Sequence, residues 1–152
     1  MFEQEVTIFV ILERTGSFLK KNMTMKYYIE KTIGTSFDEA VVKVTENLKK
    51  EGFGILSEIN VHEVLKNRLD VDLSKYKILG ACHPPSAYKA LQAQNKIGTM
   101  LPCNVIVRAL EDHQTEVAAV DPIASFMAVE DPGIATIAGE IKEKLNRVIS
   151  SL

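Results

Sequence analysis

Lys26-Tyr27-Tyr28-Ile29-Glu30-Lys31-Thr32-Ile33, followed by Ser36-Phe37-Asp38-Glu39, is the stretch that decides the fold. In its first half Tyr27, Ile29 and Ile33 alternate with Tyr28, Glu30 and Thr32, the period of a half-buried β-strand. The second half has the form of a capping box, in which a Ser hydroxyl and a Glu carboxylate satisfy free amides at a helix start. Phe37, Val41, Val44 and Leu48 then recur at helical spacing, and Gly52 supplies the left-handed residue that ends such a helix. Strand and helix therefore follow one another within a single amphipathic unit.

Working outward, Phe53 to Ile59 reads as a second strand and Asn60 to Ser74 as an irregular polar stretch with a short helix at His62–Arg68. Tyr76 to Cys82 is a third strand, stopped by Pro84-Pro85, which cannot continue a ladder but suit a helix start; Ser86 to Gln94 is that helix. Beyond the Gly98 and Pro102 breakers, Cys103 to Leu110 and Thr115 to Val120 form a hairpin about Glu111-Asp112-His113-Gln114. Ile134, Ile137, Ile141, Leu145, Val148 and Leu152 mark a long final helix with one apolar stripe. The order β-α-β(4)-α predicts an α+β fold, an antiparallel sheet packed by two main helices, over residues 26–152.

The totals fit one such domain. A chain of 152 residues with 46% hydrophobic and 25% charged residues has ordinary globular composition. A net charge of −2 without a basic run gives nucleic acid little to hold, so DNA and RNA are not expected partners. Two cysteines, Cys82 and Cys103, are too few for a disulfide scaffold, and the expected compartment is a reducing cytoplasm. Val6 to Leu12 is apolar, but seven residues do not span a bilayer, and no membrane partner is expected. Residues 1–25 read as an N-terminal extension: an added strand, an amphipathic tail, or a stretch upstream of a true start at Met23 or Met25.

Chemistry concentrates at Cys82-His83-Pro84-Pro85, where a thiol and an imidazole precede a helix whose free amides attract negative charge. That placement favours the thiolate, the form that attacks and binds metal. Cys103 opens the next strand, so antiparallel pairing brings it to the same sheet edge. Three readings of the pair stand: two small buried side chains, a thiol site for a small molecule or redox exchange, and a soft-metal site of Cys82, His83 and Cys103. Arg108 interrupts an apolar strand and faces either solvent or an anionic ligand on the open sheet face. His62-Glu63 lacks the second histidine of a zinc-protease motif, His113 falls in a turn, and Asp121 and Asp131 each precede proline. The chain carries no Gly-rich phosphate loop, no Gly-x-Ser-x-Gly elbow and no paired-carboxylate signature, so no catalytic set is legible.

Gly80-Ala81-Cys82-His83-Pro84, Ala87-Tyr88-Lys89-Ala90-Leu91, Leu101-Pro102-Cys103-Asn104-Val105 and the long last helix together resemble the domain-of-unknown-function 302 family over about Lys26 to Leu152. The resemblance implies a TATA-binding-protein-like α+β fold and pairing as a homodimer. It carries no agreed catalytic residues, so it implies only where Cys82 and Cys103 sit. The expectation is a homodimeric binding module for a small ligand or soft metal ion at the Cys82/Cys103 edge. The alternatives are a thiol-dependent redox protein or enzyme in which Cys82 attacks, His83 tunes it and Cys103 resolves, and a purely structural interaction domain.

Overall fold

Ser36 closes its capping box as expected: its main-chain N–H donates to Glu39 Oε2 at 3.1 Å, and the Glu39 N–H donates back to Ser36 Oγ at 3.3 Å. This is a feature of a computed structural model that describes residues 25–152. The expectations for residues 1–24 lie outside the described residues. Strands β1 (Tyr28–Ile33), β2 (Gly54–Asn60), β3 (Tyr76–Cys82), β4 (Cys103–Ala109) and β5 (Thr115–Val120) form one sheet in the order β1-β5-β4-β3-β2, antiparallel throughout. Helix α1 (Phe37–Lys50) carries the chain from one edge of the sheet to the other. From there β2 to β5 return strand by strand, and β5 closes against β1.

The short helix expected at His62–Arg68 is α2 (Val61–Leu69), and the one after the prolines is α3 (Pro84–Ala93). A helical turn α4 (Pro122–Ser125) was not legible, because four residues are too few for periodicity to show. The final helix α5 (Pro132–Ser150) is capped by Asp131, whose Oδ1 accepts from the N–H groups of Gly133 and Ile134. Asp121 likewise caps α4. Both Asp-Pro pairs therefore start helices, since proline suits the first helical position.

One face of the sheet carries the core. Leu79, Ala81, Val105, Val107, Val117 and Ala119 on alternate strand positions meet Val44 and Leu48 of α1 and Ile134, Ile141, Leu145 and Val148 of α5, all of them buried. Each fully buried Leu, Ile or Val contributes about 1.5–3 kcal/mol, so this face holds the fold. Two buried polar links tie the layers. Asn47 of α1 donates to the Val148 carbonyl and to Ser151 Oγ, and Lys142 of α5 reaches Asp121 Oδ2 at 2.7 Å. No described helix is long and apolar enough to cross a membrane.

Among the described residues the opposite face carries no helix core. Register places Glu30, Ala118, Ile106, Ile78 and Ile59 in one row across all five strands, and Thr32, Glu116, Arg108 and Tyr76 in the next. Tyr27 was expected beside Ile29. Instead it precedes the first paired residue, stays exposed, and sets its ring edge-on to Tyr28 at 4.8 Å on this open face.

Candidate functional site

The cysteine rim forms where antiparallel pairing requires. Ala81 pairs with Cys103, so Cys82, the last residue of β3, lies one step along from Cys103, the first of β4. Both are free thiols, and both line a cavity of about 30 Å³ with Phe53, His83, Ser86 and Pro102. That volume admits about one or two waters. It does not admit an organic ligand.

The electrostatics of the rim run against the expected thiolate. Burial pushes the Cys82 thiol up, and burial together with the neighbouring Cys82 pushes Cys103 up to about 11. Both shifts oppose the thiolate that an attacking cysteine needs. His83 is held below its usual value by burial and by the Lys144 charge, with Glu140 opposing. Its ring lies edge-on to Phe53 at 5.6 Å, and its Nδ1 sits 2.9 Å from Ser86 Oγ. Gly52, at φ +85°, makes room for the ring: a Cβ there would sit 3.2 Å from His83 Cδ2 and Nε2.

Among the described residues no three His, Cys, Asp or Glu side chains gather as a metal set. The three-donor site expected from Cys82, His83 and Cys103 is thus not formed. The reason is local: His83 is packed between Phe53 and Gly52 and turned toward Ser86.

Arg108 gives a different result. It lies on the open face in register with Glu116 and donates to Glu116 Oε2 through Nε at 2.8 Å and through Nη2 at 2.6 Å. Around the pair is a hollow of about 490 Å³ lined by Tyr27, Tyr28, Tyr76, Asn104, Ile106 and Ala118, with the Glu30 carboxylate also in its wall. Its lining is apolar at Ile106 and Ala118 and also takes in phenol rings, a carboxamide, the ion pair and a second carboxylate, Glu30. A hollow of this volume, apolar with a few polar groups, is of the kind that holds small molecules. Sequence reasoning found Arg108 but missed the tyrosines, because only register shows that Tyr28 and Tyr76 share a face with it.

The remaining polar candidates are structural. His62 Nδ1 accepts the Tyr76 N–H at 3.1 Å and its ring stacks edge-on with Phe37 at 6.3 Å, pinning α2 to the sheet. Asp112 and His113 occupy the tip of the β4–β5 turn at positive φ, the conformation such tight turns require.

The family model described as "Domain of unknown function DUF302" matches residues 29–152, which include both cysteines, strands β2 to β5 and the final helix. The chain belongs to the DUF302 family. A solved relative, the uncharacterized conserved protein DUF302 from Bacillus stearothermophilus, is 26% identical with a TM-score of 0.77. The match covers 83% of this chain and 98% of that one. A search of curated proteins finds no match. The matched residues take in the sheet from Ile29 onward, the helices that cover one of its faces and both cysteines, and the family's description assigns no chemistry to them.

Proposed function

We propose that this DUF302 protein is a binding module, paired as a homodimer, that takes a small ligand on the open face of its sheet. The observation that carries this reading is the contrast in size between a hollow of about 490 Å³ around Arg108 and a cavity of about 30 Å³ at the cysteine rim. The ligand class follows from the lining. A flat, largely apolar body suits the Ile106 and Ala118 floor and the three phenol rings. One anionic or acceptor group suits Arg108, whose guanidinium spends Nε and one Nη2 proton on Glu116 and makes no other hydrogen bond among the described residues; that group has to point away from the Glu30 carboxylate. The five-stranded antiparallel sheet, with its two main helices on one face and none on the other among the described residues, supports a TATA-binding-protein-like fold, and two free thiols support a reducing cytoplasm.

Anilinonaphthalene sulfonate, a planar aromatic anion, is a suitable probe. The native protein should enhance its fluorescence saturably, and Arg108→Met should weaken binding by about tenfold, a change of about 1.4 kcal/mol. No saturable binding, or binding that Arg108→Met and Ile106→Lys leave intact, removes this reading.

A second reading keeps the rim for a soft monovalent cation held by two thiolates alone. Its support is that both thiols line one ion-sized apolar cavity. Copper(I) titrated against a chromophoric chelator should then load one equivalent, and Cys103→Ser should abolish it; equal uptake by the variant ends the idea.

A further inference from the structure

Lys26, Tyr28 and Glu30 fall on alternate positions at the start of β1, which puts their side chains on one face. The Lys26 ammonium lies over the Tyr28 ring, 5.7 Å from its centre, and 3.5 Å from Glu30 Oε1. Tyr27 sets its own ring edge-on to Tyr28 beside them. An aromatic face next to a carboxylate is an arrangement that holds organic cations. Here a lysine of the chain itself stands where such a cation would bind. Little keeps it there: its side chain is 71% exposed, that of Glu30 39%, and an ion pair so open to water is weak.

Charge points the same way. The hollow around Arg108 is lined by two carboxylates, Glu30 and Glu116, against one guanidinium. Glu116 is spent on Arg108 through two hydrogen bonds, which leaves Glu30 to Lys26, a residue outside the lining. A ligand that brings only an anion adds to that negative surplus, whereas one with a cation at its other end cancels it. Register sets the span. Glu30 is level with Ile106 across β5, and Arg108 lies two residues farther along β4. Two strand spacings and two residues put the Cα atoms of Glu30 and Arg108 about 12 Å apart. Arg108 leans back toward β5 to reach Glu116, so one aromatic ring with a group at each end bridges the remaining gap over Ile106 and Ala118.

We infer that Tyr28 and Glu30, flanked by Tyr27, are a subsite for an organic cation, and that the ligand of the open face is an aromatic zwitterion. Its ammonium displaces Lys26 while its anionic end meets Arg108. The inference rests on the open-face reading above and deepens it by adding the second charge. An alkylated ammonium suits the subsite better than the lysine does, because a compact primary ammonium is strongly hydrated and gives up water reluctantly, whereas an alkylated one meets an aromatic face readily.

Two compounds of one shape separate charge from fit: para-trimethylammonio benzoate and para-tert-butyl benzoate share the ring and the carboxylate and differ only in the cation. Each is titrated against anilinonaphthalene sulfonate bound to the full chain. The cationic compound should displace the dye at about fivefold lower concentration than the other. Tyr28→Leu and Glu30→Gln should each bring the two compounds to equal affinity. Glu30 is an exposed carboxylate, so its variant decides the matter if Tyr28→Leu, a change at a half-buried strand position, misfolds. Lys26→Met should widen the difference between the compounds, and a difference unchanged or narrowed would refute the displacement on which the subsite depends. If anilinonaphthalene sulfonate does not bind at all, the open-face reading and the subsite fall together. If it binds and the two benzoates displace it equally, or neither displaces it, the subsite alone is overturned.

Discussion

Arg108 and Glu116 stand opposite each other on β4 and β5, and both guanidinium bonds go to one carboxylate oxygen, Oε2. Glu116 thus holds Arg108 flat against the open face while leaving its other donors unspent. Because the arginine is about half exposed, the pair contributes little to folding, about 0.2–1 kcal/mol. Glu116→Gln should shift the urea midpoint only slightly yet tighten binding of anilinonaphthalene sulfonate, since the competing charge is gone. A large loss of stability with unchanged affinity would show that the pair serves the fold alone.

The thiols should be slow. With both values raised, and Cys103 pushed up to about 11, the thiolate fraction at neutral pH is small. Iodoacetamide should modify Cys82 more slowly than free glutathione, and Cys103 more slowly still, as followed by intact mass. Alkylation of Cys82 faster than glutathione at pH 7 would restore the nucleophile reading.

Stability should fall on mild acidification through His83. Its folded value lies below the usual 6.5, so between that value and 6.5 the unfolded chain binds more protons than the folded one. The urea midpoint should therefore be flat above about pH 7 and decline as pH drops through 6.5. His83→Gln should flatten that decline. A midpoint that rises on acidification over this range would contradict the direction.

Gly52 should resist replacement. It adopts φ +85° at the end of α1, and a Cβ would press on the His83 ring. Gly52→Ala should cost about 1–2 kcal/mol, from the left-handed conformation and the crowding together, measured by thermal melting. A neutral effect would mean that the ring moves freely.

Much of this fold could be read from local patterns. The capping box at Ser36, the Gly52 stop, the Pro84-Pro85 break and the stripe from Ile134 to Val148 each act within a few residues, so sequence carries them. The nearness of Cys82 and Cys103 was also legible, since consecutive antiparallel strands must share a rim. The state of those thiols was not. The helix start is written in the sequence, whereas the burial that raises both thiols is a product of tertiary packing at the rim, where Phe53 and Ile137 line the same cavity. The hollow was hidden for a related reason. Tyr28, Tyr76 and Arg108 lie on three strands whose register is a tertiary property, and β5 enters between β1 and β4 only through the return of the whole meander.

The site itself is tested most directly by backbone amide shifts of isotopically labelled native protein titrated with anilinonaphthalene sulfonate. The account predicts saturable shifts at Tyr28, Tyr76, Asn104, Arg108 and Glu116, with Cys82, His83 and Cys103 unmoved. Shifts confined to those last three residues would place the ligand at the cysteine rim and contradict it.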